Sequence, residues 1–289
     1  MLKNLNQIKT GYTHVGTFHC DDVFAAALLR MINPNIEIVR TNEAPDDTDN
    51  IIVFDIGYGE YDHHQPNKAV RPIEDGLYMD KTTGRLTQIP YCSFGLLWRD
   101  YGRLLCPVRK AWKKVDRDLV MPTDRADNGA GISTLSNAIA QLNPAWNRRE
   151  SEDEKFQFAM GIAESILWNY IQRANAETEA ETVVLESPVV DGNILILEQY
   201  VPWQTTVVEQ MPEILFVVHP SNRGGYAVQT VPAALGSFEK RKLFPEEWLG
   251  HPDESLGMTF CHTGNFTLSC KTQGQAIHVA RIAAERKSA

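Results

Sequence analysis

The sequence predicts an α/β protein in two parts, a larger parallel-sheet domain flanked by helices and a smaller mixed α/β domain after it. Three observations lead there. Short apolar runs alternate with helical patterns through the first third of the chain. One of those runs, Ile51-Ile-Val-Phe-Asp-Ile56, is nearly continuous, as a parallel strand buried on both faces requires. A long helical stretch then separates this region from a group of short strands beyond Pro188.

Taken in order, Gly11 to Phe18 reads as a strand running into a loop. Asp22 to Ile32 reads as a helix, stopped by Asn33-Pro34. Ile36–Arg40 and Ile51–Ile56 read as strands. Residues 65–90 carry Pro66, Pro72, Gly76, Gly84 and Pro90 and read as a long loop. Ser93 caps a helix that runs to about Gly102, and a second helix is expected over Val108–Met121. Ser151-Glu-Asp-Glu154 has the form of a capping box, and the helix it opens runs to about Glu186. The expected domains are therefore 1–150 and 188–289, joined by a connecting helix over 151–187. In the second, Ile194–Leu197, Ile214–Val218, Tyr226–Val231 and Met258–Cys261 read as strands, and a helix from Gln273 to about Arg286 closes the chain.

Composition bounds the function. With 289 residues, 43% of them hydrophobic and 22% charged, the chain has the profile of a soluble globular protein. The net charge of −9 is no overall nucleic-acid footprint, although the charge is uneven: Glu43 to Asp62 holds seven carboxylates and no Lys or Arg. Five cysteines stand singly, which argues against a disulfide framework and a structural zinc site. The N-terminus lacks the apolar run of a signal peptide, and no stretch has the length of a membrane span. A cytoplasmic protein without membrane contact is expected, and an oligomer is compatible with the sequence.

Three clusters carry chemistry. His14-Val-Gly-Thr-Phe-His19-Cys-Asp21-Asp22 lies at a strand-to-helix turn, Asp55 ends an apolar strand, and Asp62-His63-His64 follows. Each has a structural explanation alone: a hydrogen-bonded histidine, a helix cap or a turn aspartate. Together they lie where strand ends converge, the usual ligand position in open α/β sheets. Imidazole with carboxylate suits Mn, Fe, Zn or Co better than Ca or Mg. Asp55 has two oxygens and could bridge two ions, which would clamp the oxygens of a phosphoryl displacement. Asp124 and Asp127 share one face of a helical turn, and either could supply a last ligand.

These strings resemble the MYG1 (UPF0160) family, which is similar to the DHH phosphoesterase superfamily, and the resemblance covers nearly the whole chain. It is carried by Thr13-His-x-Gly-Thr-Phe-His-Cys-Asp21, Asp55-Ile-Gly57 and Tyr61-Asp-His-His-Gln65. It continues through Ser93-Phe-Gly-Leu-Leu-Trp-x-x-Tyr-Gly102, Asp124-x-x-Asp-Asn-Gly129, Asn143-Pro-x-Trp146 and Val201-Pro-Trp203. Ser237-Phe-Glu-x-Arg-Lys242, Phe244-Pro-Glu-x-Trp248 and Phe260-x-His-x-Gly264 complete it. Asp22 stands where the family pattern has Glu, Pro66-Asn67 follows the Asp-His-His-Gln string, and Asn265 separates Gly264 from Phe266.

The resemblance implies a DHH-like catalytic domain and two divalent ions, most simply Mn. One ion would take His14, His19 and Asp55, and the other Asp21, Asp55, His63 and Asp124 or Asp127. His64 would face the substrate phosphate, and Asp62 would orient an imidazole. Ser93 is a further substrate-side candidate. Arg223, Arg241, Lys242, His262 and Lys271 would clamp substrate phosphates, with Arg223-Gly-Gly225 reading first as a hairpin turn. Trp203 and Trp248 read first as core residues, and the basic residues between Arg99 and Arg117 as a solvated helix face. The implied activity is a 3′–5′ exonuclease on RNA or short oligonucleotides. The alternatives are hydrolysis of a small phosphate ester, such as a nucleotide or cyclic dinucleotide, and a metal-stabilised nucleic-acid-binding scaffold without turnover.

Overall fold

The computed structural model describes residues 2–46 and 49–286. Asp47, one of the seven carboxylates between Glu43 and Asp62, lies outside the described residues. The chain is a mixed α/β protein and divides into two compact units, Met1–Asn175 and Ala176–Ala289.

The first unit is built on a parallel sheet. Strand β1 (Thr10–His14) lies in the middle, between β2 (Glu37–Thr41) and β3 (Ile51–Val53), and both pairings are parallel. Helix α1 (Cys20–Ile32) connects β1 to β2. Its residues from Cys20 to Leu29 are all buried, which is why its sequence is almost without polar positions after the first turn. β1 is shorter than the Gly11–Phe18 expected, because Gly16 turns the chain at a φ of 86° before α1 begins. The β3 ladder also stops early. Phe54 makes one further parallel bridge, to Tyr61, and Asp55 leaves the strand at a φ of 57°.

Residues 65–90 hold more structure than a loop. β4 (Leu77–Met79) and β5 (Leu86–Gln88) form an antiparallel hairpin. Its turn is set by Asp80, whose carboxylate accepts the N–H groups of Thr82 and Thr83. Then come α2 (Ser93–Leu105) and α3 (Arg109–Val115). α3 passes through a π-helical stretch, Asp116–Val120, into α4 (Met121–Asp127). Pro122 explains the wider turn: it has no N–H to offer and its ring crowds the preceding carbonyls. The run reaches six residues beyond the Met121 expected and carries both Asp124 and Asp127. α5 (Thr134–Ala140) follows, capped by Ser133.

Helix α6 (Glu152–Glu186) is one 35-residue helix, and the boundary between the units falls inside it. Phe156, Ala159, Met160, Ala163, Leu167, Ile171 and Ala174 recur at three- and four-residue intervals and pack into the first unit's core. Ala180 and Val184 belong to a core of the second unit.

That second unit is a six-stranded mixed sheet. It contains β6 (Val189–Val190), β7 (Ile194–Ile196), β8 (Phe216–Pro220), β9 (Tyr226–Thr230), β10 (Met258–Cys261) and β11 (Thr267–Cys270), in the order β10-β11-β9-β8-β7-β6. Only β7 and β8 pair in parallel. α7 (Gln204–Gln210) joins them, and α8 (Gln273–Glu285) closes the chain. Alternation along the strands makes two cores. Ile194, Ile196, Phe216, Val218 and Val228 pack with α8, whereas Leu195, Leu197 and Val217 pack with Trp203 and Val207. No helix among the described residues is long and apolar enough to cross a membrane.

Candidate metal centre

The carboxyl ends of β1 and β3 bring the N-terminal motifs together. His14 is the last residue of β1, Asp21 and Asp22 lie in the first turn of α1, and Asp55 follows β3. The tight excursion after Asp55 returns as Tyr61, whose carbonyl accepts the Asp55 N–H at 3.1 Å. Asp62, His63 and His64 are thereby set beside the carboxylate. The left-handed backbone this needs at Asp55 is one that aspartate tolerates better than most residues.

Asp55 is the hub. Its Oδ2 lies 3.3 Å from His14 Nε2, and its Oδ1 lies 3.1 Å from His63 Nε2 and 3.6 Å from His64 Nδ1. Asp22 Oδ2 joins the His14 side at 3.2 Å. On the other side, His63 Nε2 is 3.5 Å from Asp21 Oδ2 and 3.3 Å from Asp127 Oδ2. Three metal-compatible sets result among the described residues, His14–Asp22–Asp55, Asp21–His63–Asp127 and Asp55–His63–His64.

Tautomers and partners aim these groups. His14 Nδ1 is 2.9 Å from the Val15 carbonyl and donates to it, which leaves Nε2 to face the carboxylates. Asp62 Oδ1 holds both the backbone N–H and the Nδ1 of His64, at 2.9 and 2.8 Å, while Tyr58 N–H donates to its other oxygen. Ser93 donates its hydroxyl to Asp55 Oδ1 at 2.9 Å and its N–H to Asp21 Oδ2 at 3.3 Å. Arg40, almost wholly buried, reaches the carbonyls of His14 and Gly16. Asn143 accepts from Phe18 N–H and donates to Phe18 O, pinning the loop between β1 and α1.

The electrostatics fit a cation. Burial, then the charges of Asp55, Asp127 and Asp22, push the Asp21 carboxyl well above its usual range. Burial likewise raises Asp22 and Asp127. Burial also works against Asp55, but hydrogen bonds from His14 and His63 outweigh it and hold that carboxyl below the usual range. His14, bonded to Asp22 and Asp55, is raised to about 10. Asp21 Oδ1 and His63 Nδ1 are buried without a hydrogen-bond partner, and the buried Asp22 Oδ2 and Asp127 Oδ2 face only an imidazole nitrogen, at 3.2 and 3.3 Å. Buried polar atoms are nearly always satisfied, so carboxylate oxygens left over at one point suit cation ligands.

A free His14 carries a proton below about pH 10 and must lose it to offer Nε2 to a metal. Metal binding at pH 7 should therefore release protons, and affinity should climb about tenfold per pH unit for each proton released. Calorimetry in buffers of different ionisation enthalpy reads the number. A second prediction concerns Ser93→Ala, which should cost about 1.5–3 kcal/mol by removing a buried hydrogen bond to a carboxylate. Chemical denaturation of the metal-free protein checks it.

A profile of the MYG1_exonuc family, described as uncharacterised protein family UPF0160, matches residues 11–284. The chain belongs to the MYG1 family. Among curated relatives, MYG1 exonuclease of Mus musculus is 29% identical over 96% of this chain and 85% of its own. MYG1 exonuclease of Homo sapiens is 28% identical over 96% and 86%, and a MYG1 protein of Schizosaccharomyces pombe is 26% identical over 96% and 98%. No solved structure matches at a significant level.

The MYG1 motifs do not all reach the same place. Asp124 and Asp127 sit on one turn, but only Asp127 joins the His63 set. Asp124 is fully buried; it receives Arg71 Nε and accepts the Cys92 N–H at 2.9 Å. This corrects Asp124 as a candidate ligand: its oxygens are spent on a guanidinium and a helix N-terminus. His19 is exposed at the start of α1, its ring 6.0 Å from that of His14. None of the three sets includes it, and Asp22 stands in the place expected for His19. Ser93 is fully buried beneath Asp55 and Asp21, so it supports the carboxylates and does not reach a substrate.

In the second unit, Arg241 points its guanidinium into the protein. It donates to the carbonyls of Val207, Val208, Met211 and Ile214 and so closes the C-terminus of α7, which corrects its role as a phosphate clamp. Lys242 donates to the Arg286 carbonyl. Arg223 lies on the turn between β8 and β9, exposed, and Lys271 is exposed at the end of β11. His262 accepts the Gly264 N–H at 2.8 Å, and its ring packs against Phe266. Trp203 and Trp248 are core residues. Sequence reasoning missed Asp22 as part of a metal set, and also Arg40, Arg71 and Asn143. The Asn143-Pro-x-Trp motif was a signal for the last.

Proposed function

We propose that this chain is a metal-dependent phosphodiester hydrolase acting as an exonuclease on RNA or short oligonucleotides, through a dinuclear centre bridged by Asp55. The observation that carries the reading is the two-sided placement of Asp55, one oxygen facing His14 and Asp22 and the other facing His63. The relatives named MYG1 exonuclease support the nuclease class. The ligands are His14, Asp22 and Asp55 on one side and Asp21, Asp55, His63 and Asp127 on the other; this mixed oxygen–nitrogen set suits Mn, Fe, Zn or Co, and the family resemblance points to Mn among them.

Two bound divalent ions would lower the pKa of a water between them and neutralise charge on the phosphate. The chain's own residues do the rest. Ser93 and the α2 N-terminus keep Asp55 and Asp21 from rotating. Asp62 holds His64 through Nδ1, leaving Nε2 of this half-exposed ring to hydrogen-bond a phosphate oxygen or to protonate the leaving oxygen as the P–O bond breaks.

Incubation of the Mn-loaded protein with 5′-labelled single-stranded RNA tests the reading. A ladder shortening from the 3′ end is expected. Turnover of free nucleotides alone would move the substrate to small phosphate esters. No turnover with any divalent ion, despite bound metal, would overturn the hydrolase assignment.

A further inference from the structure

A cavity of about 550 Å3 opens beside the candidate centre, with His63, His64 and Asp127 on one wall. The rest of the lining comes largely from the turn after α4 and from α5, and includes Ile132, Asn137 and Ala140. Its volume is that of an ordinary small-molecule site. No lysine or arginine lines it. Lys68 acts on His63 through its charge, but its ammonium donates to Asn128 Oδ1 at 3.3 Å and is not part of the wall.

Ile132 is 92% exposed, an aliphatic side chain at the rim with almost all of its surface open. Asn137 is exposed, and its side-chain amide makes no hydrogen bond among the described residues. An amide offers both a donor and an acceptor, which suits a hydroxyl or the edge of a base. Ala126 and Ala140 add apolar surface on which a flat ring can rest.

We infer that this cavity holds the uncharged nucleoside attached to the phosphate at the centre, with Asn137 reading it and Ile132 packing on it. The inference rests on the hydrolase reading and narrows it. A second phosphate in the cavity would meet no lysine or arginine, so this wall does not suit nucleoside triphosphates or polyphosphates. The substrate is a nucleoside ester with a single phosphate between its groups, and the product that leaves the cavity is a nucleoside monophosphate. Asn137 is a specificity-determining residue outside both ligand sets.

The test is calorimetric titration of the Mn-loaded protein with adenosine 5′-monophosphate, ribose 5-phosphate and inorganic phosphate. The nucleotide should bind at least about tenfold more tightly than either of the others. Asn137→Ala should remove about tenfold of that advantage, the worth of one hydrogen bond, while phosphate affinity and metal content stay unchanged. Ile132→Ala should lower nucleotide affinity alone. Equal affinity for nucleotide and ribose 5-phosphate would overturn the inference, as would an unchanged advantage in Asn137→Ala. If phosphate binds and the nucleotide gains nothing, the cavity assignment falls and the metal reading stands. If none of the three binds, both fall.

Discussion

Asp55→Asn is expected to strip the protein of both cations and to lower kcat by at least about 10³-fold, since several kcal/mol of charge stabilisation go with them and each 1.36 kcal/mol is tenfold in rate. The substitution is nearly isosteric, and asparagine tolerates the φ of 57° that residue 55 adopts. What changes is the chemistry of one atom. Whichever way the amide turns, its NH2 meets either His14 Nε2 or the group formed by His63 Nε2 and the Ser93 hydroxyl. One of the two clusters then loses its shared anionic ligand outright, and the other keeps only a neutral carbonyl. Circular dichroism in the presence of chelator separates loss of metal from loss of fold. A variant that keeps two cations would refute the bridge.

Arg71→Met is expected to cost about 3–5 kcal/mol, the usual loss when one partner of a buried ion pair is removed. For a unit of this size that is a fall in melting temperature of about 10 °C. Arg71 is 1% exposed, and its guanidinium reaches Asp75, Asp116 and Asp124 and stacks over Tyr91 at 4.9 Å. It thereby ties the segment before β4, the π-helical turn and α4 to one point, and Asp124 extends the tie to the Cys92 N–H at the start of α2. Gly95 is part of the same fit, since a Cβ there would come within 2.2 Å of an Asp124 oxygen.

The loss also has a pH signature. Burial raises the Asp124 carboxyl to about 6, with Arg71 and the Cys92 amide pulling it back. Without Arg71 the carboxyl rises further. The folded variant then keeps its proton at pH values where the folded wild type has lost it, so its deficit should grow as pH rises above about 6 and be smallest below it. Arg71→Lys keeps the charge but loses the fork, and should fall between the two. Denaturant midpoints at pH 5 and pH 8 read both effects, and a deficit independent of pH would contradict the role given to Asp124.

The candidate site was legible where chemistry and strand ends coincide. His14 and Asp55 sit at strand ends, and Asp21 and His63 lie in the turns that follow those strands, so the four converge in space. Asp22 was hidden by its other role, because its Oδ1 accepts the His19 N–H as a helix cap while Oδ2 turns to His14. Asp124 and Asp127 are one helical turn apart, and what separates them is a neighbour: Gly95 leaves room that draws Asp124 into the core. Nothing local could show that. Arg71 was invisible because it lies in a proline- and glycine-punctuated stretch, where a buried guanidinium is not expected. Arg241 misled in the opposite direction. A basic Lys-Arg-Lys triplet suggests phosphate, yet the middle residue closes a helix end.

The long elements were legible too, since α1, α2, α6 and α8 carry strong periodicity or caps. The short ones were not. β11 reads Thr-Leu-Ser-Cys and α7 has seven residues, so their formation depends on partners across the sheet and in the core.

Elemental analysis of the wild-type protein, equilibrated with Mn and then desalted, tests the central claim most directly. Two ions per chain are predicted. A chain that retains none, while its fold is intact, would contradict the dinuclear centre.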